Sequence, residues 1–367
     1  MLYELLYSLR NEFSPFNIFQ YITFRSALAA IFALLISFIV GPIIIKILKK
    51  RQIGEEIREN GPISHKLKKG TPTMGGIIIL ISILIPTILL VDMSNIFVRI
   101  LLISTIWMGL IGFIDDYLKT IKKMKKGLIA RYKLLGQFSL GIIITIIIYS
   151  TPEWSDIRTV TSIPFLKNTN LDFGIFYPAM IILVIMGTSN AVNLTDGLDG
   201  LATGLLAISF TVFAAIAYIS GRVDFSDYLN IIYLPGAGEL TIFSASCVGA
   251  CLGYLWYNSA PAEIFMGDIG SLSTGAALGA LALLLKKELL LIIIGGVFVI
   301  EALSVIIQVG YFKYTKKFYK EPVKIFKMAP IHHHYELKGI PESKVVIRFW
   351  IVGLLFALLT ITTFKIR

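Results

Sequence analysis

Residues 96–119 read IFVRILLISTIWMGLIGFIDDYLK, nineteen residues with a single charge, Arg99, followed by two adjacent carboxylates and, after Tyr117 and Leu118, a lysine. A helix needs roughly 20 mostly apolar residues to cross the hydrocarbon core of a bilayer. Residues 97–117 of it are therefore predicted to span a membrane and to deliver Asp115-Asp116 to the edge of it. Ionisable groups at that depth are costly, and their default reading is functional. The opposing reading is a helix-end pair solvated at the interface. Two acids at a helix C-terminus oppose the macrodipole, which disfavours it.

The same pattern recurs along the chain. Further spans are predicted over 24–48, 73–92, 134–150, 174–190, 201–220, 240–257, 270–286, 289–312 and 346–364, about ten in all. Composition agrees: 56% of the 367 residues are hydrophobic and 16% charged, a balance that leaves a soluble domain too little polar surface. The expected fold is all-α and integral to the membrane, one domain over 1–367, with residues 1–22 lying in the interface as a mixed aromatic and polar segment. No cleavable leader is expected, because Glu4, Arg10 and Glu12 break the pattern. Cys247 and Cys251, four apart in an apolar span, read as packing residues.

Net charge is +11 and unevenly placed. Lys49 to Lys69, Lys119 to Lys133 and Lys313 to Lys344 delimit three basic stretches, while the loops over 151–173 and 221–239 are poor in base. The positive-inside rule puts the basic loops in the cytoplasm and both termini outside. The same lysines would attract lipid headgroups or phosphorylated substrates; no nucleic-acid partner is expected.

The other unexpected polar clusters fall on that side too: Ser64-His65 through Gly76, Asp115-Asp116, Asn193 to Gly200, Asn258 to Asp268, and His332-His333-His334. Stretches distant in sequence yet at one membrane depth predict a shared site. Asn193, Asp196 and Asp199 recur every third residue and, if helical, lie toward one side. Their oxygens, with bare backbone at Gly197 and Gly200, suit a hard divalent cation and phosphate; a capped loop would use the same residues. Three consecutive histidines diverge too much to ligate one ion, so hydrogen bonding to phosphate or acid–base work fits better. Glu301, inside the ninth span after Gly295-Gly296, is expected to be protonated or paired and to accompany a bend, without a direct catalytic role. Walker A, Rossmann and HExxH patterns are absent.

Taken together, SHKLKKGTPTMGG, GFIDDYLK, GLIARYKLLGQ, NAVNLTDGLDGLA, FMGDIGSL and MAPIHHHYELKGIPESKVVIRFW closely resemble the phospho-N-acetylmuramoyl-pentapeptide-transferase family, from about Ser64 to the last span. The wider superfamily of polyprenyl-phosphate N-acetylhexosamine-1-phosphate transferases shares the acidic motifs; the histidine triplet and PESKVVIRFW are specific to the muramoyl-pentapeptide branch. Ile340 and Ser273 depart from the pattern at positions without chemistry.

The resemblance implies ten transmembrane helices in the bacterial inner membrane. It implies transfer of phospho-MurNAc-pentapeptide from UDP-MurNAc-pentapeptide to undecaprenyl phosphate, giving lipid I and UMP, with Mg²⁺ as cofactor. By resemblance Asp268 is the principal Mg²⁺ ligand and, with Asp115 and Asp116, catalytic. Asn193, Asp196 and Asp199 line the site. Lys68, Thr73, Lys133, Asn258, Phe265, His332, His333 and His334 are substrate-side contacts, and a homodimer is implied. Direct attack by the lipid phosphate and a two-step route through an aspartyl phosphate both remain open, as does which Asp acts as base. A GlcNAc-1-phosphate transferase is the nearest alternative. A secondary transporter is disfavoured, because it would carry its acids at mid-membrane and usually show an internal repeat.

Overall fold

Each predicted span forms a helix in the computed structural model, which describes residues 2–51, 70–124, 127–166 and 169–365. In chain order these are α1 (Leu2–Ser8), α2 (Ile22–Lys50), α3 (Gly76–Leu90), α4 (Ile96–Thr120), α5 (Ala130–Ser150), β1 (Val160–Ser162), β2 (Asn170–Asp172), α6 (Tyr177–Thr195), α7 (Leu201–Ser220), α8 (Val223–Leu229), α9 (Glu239–Asn258), α10 (Gly267–Leu284), α11 (Glu288–Ile294), α12 (Gly296–Phe318), α13 (Ile331–Glu336) and α14 (Glu342–Lys365). Among the described residues nine helices are long and apolar enough to cross a membrane. The second predicted span, α3, has 15 residues; at 1.5 Å per residue it covers about 22 Å, short of the hydrocarbon thickness. The chain is a multi-pass, all-α membrane protein.

The ninth predicted span differs from its expected form. Apolar residues run continuously through it, yet the helix breaks at Gly295 into α11 and α12. The bend expected beside Gly295-Gly296 falls at Gly295, where two residues without side chains weaken the helix, and hydrogen bonds from Gly295 N–H to the Leu291 carbonyl and from Val299 N–H to the Gly295 carbonyl continue through it.

Packing is centred on α10. Of its residues 94% are buried, against 28% in the apolar windows of α2, α5 and α14. The sequence GDIGSLSTGAALGALALL explains this, because Gly, Ala and Ser let neighbouring backbones approach closely where no hydrophobic force separates helix from lipid. α10 packs on α4, α6 and α3; α9 packs on α2, α7 and α3. Cys247 and Cys251 are buried and unbridged, as packing residues would be.

Polar groups also gather where the loop charges gave no hint, at the end of the bundle opposite the predicted site. Arg25 of α2 grips Glu239 of α9 in a two-pronged pair at 2.9 and 2.6 Å, with the Tyr3 ring 4.0 Å from the guanidinium. The antiparallel β1–β2 hairpin, in register Thr161↔Leu171, folds over the start of α11. Beneath it Lys286 donates to the Arg158 carbonyl and to Tyr177, and Tyr177 donates to Glu288, which also accepts from Thr161. These charges fall where two predicted spans meet, 270–286 and 289–312; the hairpin buries them, and mutual pairing makes the burial tolerable.

Candidate active site

α4 extends one turn beyond Asp115-Asp116, so the pair lies within the helix and is buried. Gly112, one turn earlier, brings α4 against the start of α10: a β-carbon there would collide with the backbone of Asp268. This close crossing gathers Asp115, Asp116 and Asp268. Each offers a carboxylate oxygen, and the three oxygens lie within 4.8 Å of one another.

The acids have different surroundings. Asp116 accepts from the backbone N–H of Asp268 and of Ile269, both at 3.1 Å. It therefore caps α10 from another helix, with its charge at the positive end of the dipole. Gly267 makes this possible, with φ +70° and a bare α-carbon facing the Asp116 carboxylate and the Thr73 hydroxyl. Asp115 accepts from the Leu128 N–H at 2.6 Å and from Lys133 Nζ at 2.9 Å. Lys133 also pairs with Asp268, and Lys119 Nζ pairs with Asp115 and lies 3.3 Å from Asp268. Asn193 of α6 donates to Asp268 at 2.8 Å and to Ser271 at 2.9 Å. Three carboxylates thus face two ammonium groups. The excess negative charge and the all-oxygen set of acids fit a hard divalent cation; soft sulfur donors are absent from the cluster.

The remaining predicted residues lie around this centre. α6 ends at Thr195, with Asp196 at its C-cap. Asn193, Asp196 and Asp199 therefore do not share a helix face: only Asn193 is helical, and Gly197 and Gly200 let the chain turn away. Asp199 is buried, accepts from the Ala262 N–H, and its own N–H donates to Glu342. Asn193, just before the turn, donates to Asp268, which places the turn beside the acid cluster. Asn258, also buried, accepts from the Gly200 N–H and the Thr203 hydroxyl and donates to the Ile264 carbonyl, which leaves one amide hydrogen for other partners. Phe265 exchanges backbone hydrogen bonds with Pro72 and Gly75, which sets Thr73 beside α10.

The histidines have separate partners. His332 faces Glu301, His333 Nδ1 lies 2.8 Å from Glu336, and His334 Nδ1 accepts from the Lys327 N–H. His334 is held below the usual imidazole range by burial and then by Lys338 and Lys327. Lys68 and His65 lie outside the described residues.

Lys119 and Ser271 were not singled out by sequence. Lys119 read as one of many loop lysines; its i+4 spacing from Asp115 was the available signal. Ser271 stands four after Gly267 and was hidden among the small residues of α10. The pairing of Glu301 with His332 spans 31 positions and has no local signature.

Fold and site together define a polytopic membrane protein with a cluster of buried acids paired with lysines at one end of its bundle. Residues 98–286 match the model for glycosyl transferase family 4, and residues 68–80, which include Lys68 and Thr73, match phospho-N-acetylmuramoyl-pentapeptide-transferase signature 1. Proteins named phospho-N-acetylmuramoyl-pentapeptide-transferase are similar over their full length: one from Thermodesulfovibrio yellowstonii is 52% identical over 367 residues, one from Citrifermentans bemidjiense 50% over 367, and one from Chloroherpeton thalassium 49% over 369, each alignment covering 100% of both chains. The chain belongs to the phospho-N-acetylmuramoyl-pentapeptide-transferase family. It is a membrane phosphotransferase of peptidoglycan synthesis, a family that implies a nucleotide-sugar-peptide substrate and a membrane lipid acceptor.

Proposed function

We propose that the chain transfers phospho-MurNAc-pentapeptide from UDP-MurNAc-pentapeptide to undecaprenyl phosphate, giving lipid I and UMP, at the cytoplasmic face of the bacterial inner membrane. The observation that carries this reading is the convergence of Asp115, Asp116 and Asp268 from two helices onto one buried, lysine-lined pocket of oxygens. Both substrates are anionic, so the first barrier is repulsion between phosphates. Lys119 and Lys133 lower it by offering positive charge where the dielectric is low. The basic stretches of the chain draw both substrates toward that end.

The proposed step is direct. A lipid-phosphate oxygen forms a bond to the β-phosphorus, the bond from that phosphorus to the bridging oxygen breaks, and UMP leaves with the bridging oxygen and its electron pair. The second phosphate pKa is about 6, so most acceptor is already dianionic at neutral pH. Asp115 takes the remaining proton where one is present. Asp116 is held as the cap of α10, and its contribution is to fix Asp268. Mg²⁺ would be held by Asp268, with Asp115 beside it, and would neutralise the pyrophosphate and stabilise departing UMP.

UMP release by the detergent-solubilised protein tests this, with Mg²⁺, lipid phosphate or nucleotide sugar omitted in turn. Release is expected only from the complete mixture. Release from UDP-GlcNAc in place of the muramoyl substrate, or movement of substrate across vesicles without UMP, would overturn the assignment. A phospho-sugar trapped on the protein without lipid would replace direct attack by the two-step route.

A further inference from the structure

Glu301 and His332 form a buried dyad that the transfer step does not use. Glu301 lies in α12, His332 in α13, and both are fully buried. His332 Nδ1 is 3.1 Å from Glu301 Oε2. The approach is at ion-pair distance without hydrogen-bond alignment, and neither carboxylate oxygen and neither ring nitrogen has a hydrogen-bond partner among the described residues. A buried carboxylate facing a buried imidazole needs a proton between them, because two bare acceptors at that distance repel. The arrangement that satisfies both groups places the proton on Nδ1, donated to Glu301.

The opposite edge of the ring is equally constrained. A β-carbon on Gly197 would collide with His332 Nε2. The ring is thus clamped between α12 and the turn from Asp196 to Gly200, with Nε2 at that turn. The same turn follows directly on the end of α6, where Asn193 donates to Asp268 of the acid cluster at 2.8 Å. His333 and His334 have partners of their own in Glu336 and Lys327, and the His333 ring also packs edge-on against His332 with centroids 4.1 Å apart.

We propose that Glu301 is a positioning residue: it holds His332 in the Nδ1–H form, which leaves Nε2 as an acceptor packed beneath the Asp196–Gly200 turn, and the dyad thereby fixes that turn for the nucleotide-sugar substrate. The proposal deepens the transfer reaction given above and rests on it. The tautomer of a histidine is set by the hydrogen bond of its other nitrogen, and in a hydrolase triad the wrong tautomer costs about 10⁴ in turnover while leaving geometry intact.

The test has a spectroscopic arm and a kinetic arm. The chain has four histidines, so ¹⁵N-histidine labelling with His332→Gln as the assignment control isolates one ring. Wild type should show His332 with its proton on Nδ1. Glu301→Leu fills the space without an acceptor; it should move the proton to Nε2 and lower kcat for UMP release by roughly 100-fold, with a much smaller change in KM. Glu301→Gln keeps an acceptor oxygen; it should retain the Nδ1–H form and recover to within about tenfold of wild type. A space-filling role predicts Leu at least equal to Gln, and that result would overturn the proposal. So would a wild-type His332 protonated on Nε2 alone, a measurement that decides the matter even if the variants fail to fold. If wild type releases no UMP while His332 holds the Nδ1–H form, the transfer reading fails and the dyad geometry stands.

Discussion

Gly267→Ala is the most incisive perturbation of the acid cluster, because it adds one carbon and removes no charge. Gly267 has φ +70°, and an L-residue there costs about 1–2 kcal/mol. The added carbon would lie 2.5 Å from Asp116 Oδ2 and 3.1 Å from the Thr73 hydroxyl. Asp116 must withdraw and give up one of its two bonds to the first turn of α10. A hydrogen bond to a charged group contributes about 1.5–3 kcal/mol, so the expected loss is about 2.5–5 kcal/mol. Asp268, the next residue, moves with the turn, and a displacement of about 1 Å at a reacting centre can cost roughly 100-fold in rate.

Two readouts separate these effects. Cys247 and Cys251 are the only cysteines and both are buried. A thiol-reactive fluorophore therefore reports thermal unfolding, and UMP release reports turnover. Gly267→Ala should unfold at lower temperature and turn over roughly 100-fold more slowly even at temperatures where it stays folded. Wild-type turnover in the folded variant would refute the claim that Asp116 positions Asp268 by capping α10.

Asp268→Asn should insert normally and lose at least about 100-fold in UMP release, the scale of removing one preorganised electrostatic group; full activity would remove Asp268 from metal binding. Lys119→Met should also slow UMP release, by roughly tenfold or more, and an unchanged rate would return Lys119 to the topology lysines. Arg25→Met strands Glu239 in the bundle and should destabilise by about 3–5 kcal/mol. The thiol assay should show much of that loss recovered in Arg25→Met/Glu239→Gln, with turnover at permissive temperature unchanged in both. Asn258→Ala removes three buried hydrogen bonds and should cost about 2–4 kcal/mol, measured the same way; an unchanged melting temperature would mean that the loop over 259–266 is held by other contacts.

The spans were legible because desolvating backbone leaves a membrane chain few options beyond long apolar helices. Asp115 and Asp116 were legible because carboxylates at the rim of such helices are rare; Asp268, an acid at a helix start where a simple cap is common, was singled out by the resemblance. What escaped depended on tertiary geometry. The three-residue spacing of Asn193, Asp196 and Asp199 imitated a helix face, yet Gly197 and Gly200 end the helix first. Lys286 to Glu288 fell at the junction of two predicted spans, and their pairing beneath the hairpin had no signal in the sequence. Glu301 was anticipated as paired, but its partner came from an element 31 residues away, and no local pattern encodes that.

The enclosure of α10 has a consequence for how the enzyme meets its solvent. The helix carrying Asp268 touches almost nothing except other helices, and the lipid-facing circumference belongs to spans such as α2, α5 and α14. Changes in acyl length or fluidity press first on that outer staves-like ring, while the phosphate chemistry stays anchored to an axle that the bilayer does not grasp.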